Sequence, residues 1–270
     1  MQALNRSVLV VDDNEMNRDL LGRRLEQEGY HVAGAGSGKQ ALDILRQERF
    51  DLMLLDLMMP DMDGFEVLLR LKEDPSHSNM PVVMITADND AESVKRCIKL
   101  GAVDYVVKPI NLAILKSRVW GHIAKASQQR NKGVGKISYA TEGARILAVD
   151  DLALNRDLLA NRLSKLGYIV KTAESADAAL RVLGMEAIDL MLLDLMMPEI
   201  DGFQLLEQIR KNPRFAHLPV IIVSGEDSSD AMTRGLSLGA DDYVVKPFYA
   251  PLLKSRIDAC LAAERLRAGI

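Results

Sequence analysis

The chain repeats itself once, at an offset of 138 residues, and no other feature constrains its folding as much. VLVVDD at 8–13 returns as ILAVDD at 146–151, DLMLLDLMMP at 51–60 returns unchanged at 189–198, and DYVVKP at 104–109 returns at 242–247. Aligning 8–118 with 146–256 needs no gap and gives 51 identical positions of 111. A period of this length leaves each copy enough chain to close its own core, unlike the short units of a solenoid. The sequence between the copies, SQQRNKGVGKISYATEG, is polar and glycine-bearing, which suits a linker or a helix extension followed by a loop. The expected organisation is a domain over 1–126, a linker over 127–143 and a second domain over 144–270.

Within each copy, short apolar runs alternate with stretches of helical period. In the first copy, strands are expected at about 7–12, 31–35, 51–56, 81–85 and 104–107, with helices near 15–28, 37–47, 64–73, 89–99 and 112–126. Met16, Leu20, Leu21 and Leu25 recur at helical spacing, and Gly29 supplies the stop. Runs such as LMLLD and VVMIT are apolar on both faces, as strands of a parallel sheet covered on both sides must be. Five β–α units per copy predict a doubly wound α/β fold with a five-stranded parallel sheet.

In such a sheet, ligands bind beyond the carboxyl ends of the strands. The first strand of copy one ends in Asp12-Asp13, the third in Asp56, the fourth in Thr86, and the fifth runs into Lys108-Pro109. Copy two places Asp150-Asp151, Asp194, Ser224 and Lys246-Pro247 at the same points. Three carboxylates brought together raise one another's pKa unless a cation compensates. Mg2+ suits the role, because it takes few carboxylates and keeps sites for water and phosphate oxygens. Asp56 or Asp194 is then placed to attack a phosphoryl group as a carboxylate nucleophile. The lysine ammonium and the hydroxyl would take the remaining oxygens of the transferred group.

These residues are similar to those of the receiver domains of two-component response regulators, and the resemblance covers almost the whole of both copies. It rests on the acidic pair after the first strand, on LLDLMMPDMDG and LLDLMMPEIDG around the third, on Thr-Ala and Ser-Gly after the fourth, and on DYVVKP at the fifth. The resemblance implies two flavodoxin-like (βα)5 domains with strand order 2-1-3-4-5. It implies Asp56 and Asp194 as phosphoacceptors, with Asp12, Asp13, Asp150 and Asp151 joining them as ligands of Mg2+. Thr86 and Ser224 become switch hydroxyls, Lys108 and Lys246 phosphate-sensing lysines, and Tyr105 and Tyr243 aromatic switches. The partner implied is a sensor histidine kinase or a histidine phosphotransfer protein. The output implied is a protein surface on the fourth helix, fifth strand and fifth helix, used for packing between the receivers or for a homodimer. Lys95, Arg96, Lys99 and Arg118 near Asp104 give that surface its charge in copy one, whereas copy two has Thr233 and Ser237 where copy one has Lys95 and Lys99.

Composition removes other classes. The 34 basic and 38 acidic residues are mixed along the chain, with a net charge of −4, so no basic stripe suits direct nucleic-acid binding. No run of about 18 apolar residues predicts a membrane span, and the first residues do not read as a signal peptide, so the cytoplasm is the expected location. Cys97 and Cys260 read as helix-face thiols rather than a disulfide or metal pair. The four histidines form no metal spacing, and the glycines of AGAGSGK read as a strand-to-helix turn, not a phosphate loop. The chain is therefore expected not to be an enzyme but a phosphorelay regulator. Two alternatives stay open: the regulatory part of a larger enzyme such as a nucleotide cyclase (a diguanylate cyclase, for example), and an adaptor in which one copy is not phosphorylated.

Overall fold

The structure, a computed structural model, describes residues 6–87, 91–130, 143–225 and 229–268. The first copy runs β1 (Ser7–Val11), α1 (Glu15–Gln27), β2 (His31–Ala35), α2 (Gly38–Leu45), β3 (Leu52–Asp56), α3 (Gly64–Glu73), β4 (Val82–Thr86), α4 (Ala91–Lys99), β5 (Asp104–Val107) and α5 (Leu112–Arg130). The second runs β6 (Arg145–Val149), α6 (Ala153–Lys165), β7 (Ile169–Ala173), α7 (Ala176–Met185), β8 (Leu190–Leu193), α8 (Gly202–Lys211), β9 (Val220–Ser224), α9 (Ser229–Ser237), β10 (Asp242–Val245) and α10 (Ala250–Ala268). Each copy forms its own five-stranded parallel sheet, ordered β2-β1-β3-β4-β5 and β7-β6-β8-β9-β10, which is the expected topology. The chain divides into two units, Met1–Ser127 and Gln128–Ile270. Of the expected linker, the first residues continue α5 to Arg130, and 131–142 lie outside the described residues.

The alternation of side chains along each strand sorts the core into two layers. On one face of the first sheet, Val8, Val10, Leu52, Leu54, Val83 and Ile85 pack against Leu21 and Leu25 of α1 and Leu115, Val119 and Ile123 of α5. On the other, Leu9, Val11, Met53, Leu55 and Met84 meet Ala41 and Leu45 of α2, Val67, Leu68 and Leu71 of α3, and Cys97 of α4. The second copy divides in the same way. The central strands are apolar on both faces because both faces are covered.

The apolar stripe expected on α1 is only half used. Leu21 and Leu25 are buried, but Met16 is 79% and Leu20 52% exposed, and in α6 the corresponding Leu154 and Leu158 are exposed as well. The sheet accepts only one narrow line of the helix, so the flanking apolar residues face solvent.

One half-buried cation differs between the copies. Lys72 of α3 donates to the carbonyls of Ser78 and Met80, both at 2.8 Å, where the second copy has Arg210 bonded to the carbonyls of Leu218 and Gly239. Burial pulls the Lys72 ammonium down to about 8. The unfolded lysine, near 10.5, still holds its proton between these values while the folded one has lost it, so this residue's contribution to stability rises with pH across that window. Arginine does not titrate there. The stability of wild type relative to Lys72→Arg is therefore expected to increase from pH 7.5 to pH 10, measured by denaturant unfolding followed on the single tryptophan, Trp120 of α5. Equal differences at both pH values would contradict the shift.

Candidate functional site

The residues expected at the strand ends meet in space. β1, β3, β4 and β5 lie side by side, so Asp12 and Asp13 after β1, Asp56 closing β3, Thr86 closing β4 and Lys108 after β5 share one edge of the sheet. Asp12, Asp13 and Asp56 each present a carboxylate oxygen within 4.8 Å of the others, as do Asp150, Asp151 and Asp194. The Lys108 Nζ stands 3.0 Å from Asp12 Oδ2 and 3.0 Å from Asp56 Oδ2. In the second copy, Lys246 Nζ stands 2.7 Å from Asp150 Oδ2 and 3.3 Å from Asp194 Oδ1. Asp12, Asp56, Asp150 and Asp194 are buried, as are the switch candidates Thr86 and Ser224. The lysines are anchored along the chain too, since the Lys108 N–H donates to the Thr86 carbonyl and the Lys246 N–H to that of Ser224. The bonds Lys108–Pro109 and Lys246–Pro247 are both cis.

Electrostatics follow from this packing. Burial pushes the Asp56 carboxyl above its ordinary value, and the Lys108 ammonium draws it back only in part, against repulsion from Asp12 and Asp13. Burial likewise raises Asp194, opposed by Lys246 and reinforced by Asp150. Burial alone would lower Lys108, but its hydrogen bonds to Asp56 and Asp12 more than reverse this and leave it above its usual value. Each pocket thus holds three carboxylates against one ammonium, a formal charge of −2 when all are ionised. In the second pocket the buried Asp194 Oδ1 has no hydrogen-bond donor, and the ammonium of Lys246 lies beside it out of alignment. A divalent cation with oxygen ligands answers both the residual charge and the orphaned oxygen.

Tyr105 and Tyr243 start on the same strand position, and the structure treats them differently: Tyr243 is buried in the core of its domain, and Tyr105 is half-buried. Of the charges expected on the switch surface, Asp104 is fully buried and pairs with Arg118 and His122, Arg96 stacks on the Phe65 ring at 3.9 Å, and Lys95 pairs with Glu92.

Two groups of residues that the sequence reading passed over also build the pocket. A Cβ on Gly64 would stand 2.4 Å from the Asp56 carbonyl oxygen, and one on Gly202 2.3 Å from that of Asp194, so only glycine lets α3 and α8 begin directly over these two aspartates. Asp61 and Glu199, in the same loops, both hold φ at 65°. On α1, Asn17 Nδ2 donates to both carboxylate oxygens of Asp12, at 3.2 Å each, and Arg18 Nη1 donates to the carbonyls of Asp12 and Asp13. Asn155 and Arg156 repeat these bonds on Asp150 and Asp151. Their signal in the sequence was the repeat itself, which keeps Asn-Arg five and six residues beyond the first aspartate of each pair.

The profile of the response regulator receiver domain matches residues 8–120 and again 146–258. Response regulator PleD of Caulobacter vibrioides is 30% identical over 275 residues, covering 97% of this chain and 60% of that protein. The DNA-binding response regulator MtrA of Mycolicibacterium smegmatis is 31% identical over 204 residues, covering 76% of this chain and 82% of its own length. Among solved structures, a CheY-like response regulator receiver domain protein from Methanospirillum hungatei is 28% identical with a TM-score of 0.44, covering 47% of this chain and 99% of that one. The chain thus spans about three fifths of the length of PleD.

Proposed function

The chain belongs to the response regulator receiver family, whose domain it carries twice, and from that premise we propose that Asp56 and Asp194 each accept a phosphoryl group from a histidine kinase or histidine phosphotransfer protein in a two-component phosphorelay. The observation that carries this reading is the convergence, twice in one chain, of three carboxylates, one ammonium and one hydroxyl at the carboxyl edge of a parallel sheet.

Asp12, Asp13 and Asp56, and their counterparts Asp150, Asp151 and Asp194, would hold Mg2+, which when bound supplies the positive charge that lets a phosphoryl group approach these acids. A carboxylate oxygen of Asp56 attacks phosphorus while the bond from phosphorus to the donor's imidazole nitrogen breaks, leaving an acyl phosphate on the chain and a neutral histidine on the donor. Lys108 lies against the acceptor and neutralises charge gathering on the transferred oxygens. Thr86, buried at the end of the neighbouring strand, offers its hydroxyl to the same group, and Ser224 does so in the second copy. The new group adds about two negative charges. It biases a switch that runs from the hydroxyl to Tyr105 or Tyr243 and on to the surface of α4, β5 and α5, or α9, β10 and α10. Because both copies keep every component, both are chemically competent, which speaks against an adaptor with one silent copy.

Labelling of the intact chain with acetyl phosphate tests this. Incorporation is expected with Mg2+ and is expected to vanish with excess chelator, whereas incorporation indifferent to Mg2+ would remove the reading of the acidic pockets.

The exposed apolar residues beside each pocket support a protein as the donor. Met16 lies three residues after Asp13 and Met58 two after Asp56, with Leu20 one turn on from Met16 in α1; these, and Leu152, Leu154, Leu158 and Met196 of the second copy, all face solvent. Clustered exposed apolar side chains mark protein contacts. Met16→Asp with Leu20→Asp is expected to slow transfer from a phosphorylated histidine phosphotransfer protein to Asp56 by about tenfold or more, the loss of at least ~1.4 kcal/mol that contact residues of this kind carry. Labelling by acetyl phosphate, which needs no docking, is expected to stay near wild type. Equal loss with both donors would place the effect in the pocket and not at a docking face.

A further inference from the structure

Asn17, Arg18, Asn155 and Arg156 take no part in the phosphoryl chemistry above, yet they make the same bonds in both copies. Arg18 Nη1 donates to the Asp12 carbonyl at 2.8 Å and the Asp13 carbonyl at 3.1 Å, and Arg156 Nη1 to those of Asp150 and Asp151 at 2.7 and 2.8 Å. Successive carbonyls of an extended strand point to opposite sides. A single nitrogen that takes both therefore pins the bend at which β1 gives way to α1, and β6 to α6. That bend sets the direction of the Asp13 and Asp151 side chains, whose carboxylates have no hydrogen bond to hold them among the described residues.

The asparagine acts on the other member of the pair. Asp12 is fully buried, and its two oxygens share Asn17 Nδ2 while accepting also from the Asn14 N–H at 2.9 Å and Lys108 at 3.0 Å. Asp150 is held likewise by Asn155, the Leu152 N–H and Lys246. An amide donor orients a carboxylate without cancelling its charge. A lysine in its place would fill the pocket's deficit and compete with a cation.

A Cβ on Gly36 would stand 3.3 Å from Arg18 Nη1, tighter than ordinary contact. The second copy has Glu174 there, which pairs with Arg156 at 3.7 Å.

We propose that Asn17 with Arg18, and Asn155 with Arg156, are the positioning residues of the two metal pockets: the arginine fixes the backbone of the acidic pair, the asparagine fixes the carboxylate of its first member, and the acids stand ready for a divalent cation before it arrives. This rests on the reading of the pockets as Mg2+ sites. Residues that orient metal ligands in this indirect way commonly change affinity 10–100-fold when removed.

The test is calorimetric titration of the intact, metal-free chain with MgCl2, in which wild type is expected to show two sites. Arg18→Ala or Asn17→Ala is expected to weaken one site about 10–100-fold and leave the other unchanged, and Arg156→Ala or Asn155→Ala is expected to do the reverse. Arg18→Lys, whose ammonium still reaches a carbonyl, is expected to recover part of the loss. A melting temperature of the metal-free variants near wild type separates positioning from unfolding. If Arg18→Ala does not fold, Asn17→Ala, which leaves the backbone clamp intact, decides the matter. Wild-type affinity at both sites in Asn17→Ala and Asn155→Ala overturns the inference while leaving the pockets as metal sites. A wild type that takes up no Mg2+ overturns the metal reading itself, and with it this inference.

Discussion

Asparagine in place of Asp56 is expected to leave the chain able to take up one phosphoryl group instead of two, and asparagine at both Asp56 and Asp194 is expected to leave it with none. The side-chain amide matches the carboxylate in shape, so the pocket stays filled. It is not a nucleophile, and it removes one of the three negative charges that gather at the sheet edge. Intact-mass measurement after incubation with acetyl phosphate and Mg2+ counts the groups directly. Each single variant is expected to retain its other site, because the two pockets are built from separate sheets. If Asp56→Asn and Asp194→Asn each still carried two groups, the phosphorylated residues would lie elsewhere and the proposed acceptors would be wrong. If one single variant carried none, only one copy would be in use, and the chemical competence argued for both would fail for the other.

The second large effect is expected at Lys108. Its Nζ is the only ammonium paired with both Asp12 and Asp56 among the described residues, and both acids are buried. Lys108→Met leaves two buried carboxylates facing each other, and breaking such a pair by removing one partner costs about 3–5 kcal/mol. The lysine is itself about a quarter exposed, with 26% of its side chain accessible, so the lower end of that range applies. Unfolding monitored by Trp120 at neutral pH without divalent ions is expected to report this loss for the first domain.

Two conditions are expected to restore stability in that variant. Added Mg2+ replaces the missing positive charge. Acid does so too, and the sign can be worked out. Burial already holds the Asp56 carboxyl above its ordinary 3.8, so the folded chain keeps a proton there that the unfolded chain has lost. Stability therefore falls as pH rises from the unfolded value through the raised folded one, and returns on acidification. A variant as stable as wild type at neutral pH without metal would show that the ammonium does not hold the acids together.

Much of this protein was legible in the sequence because the repeat acts as its own control. A lone aspartate at a strand end is ordinary turn chemistry. Asp12, Asp56, Thr86 and Lys108 recurring as Asp150, Asp194, Ser224 and Lys246 at one offset is not. The strands were readable because both faces of the sheet are covered, which makes the runs at 52–55 and 82–85 apolar throughout. The helices were less well served. Periodicity put Met16 and Leu20 on the same footing as Leu21 and Leu25, and only the sheet's shape decides which of them is buried. Asp104, which looked like a surface charge, is buried against Arg118 and His122, because pairing partners on α5 lie 14 and 18 residues away in the chain and meet it only in the fold.

By itself, then, the sequence determined two copies of a parallel α/β domain and the chemical groups at the edge of each sheet, because strand periodicity and the ends of strands are local properties of the chain. The tertiary structure decided what holds those groups: that Lys108 reaches both Asp12 and Asp56, that Gly64 and Gly202 allow a helix to start against the backbone of Asp56 and Asp194, and that a guanidinium from α1 grips the bend carrying the acidic pair. The Lys108 contacts join segments far apart in the chain, and the shorter-range contacts of Gly64, Gly202 and Arg18 depend on how each helix packs on the sheet.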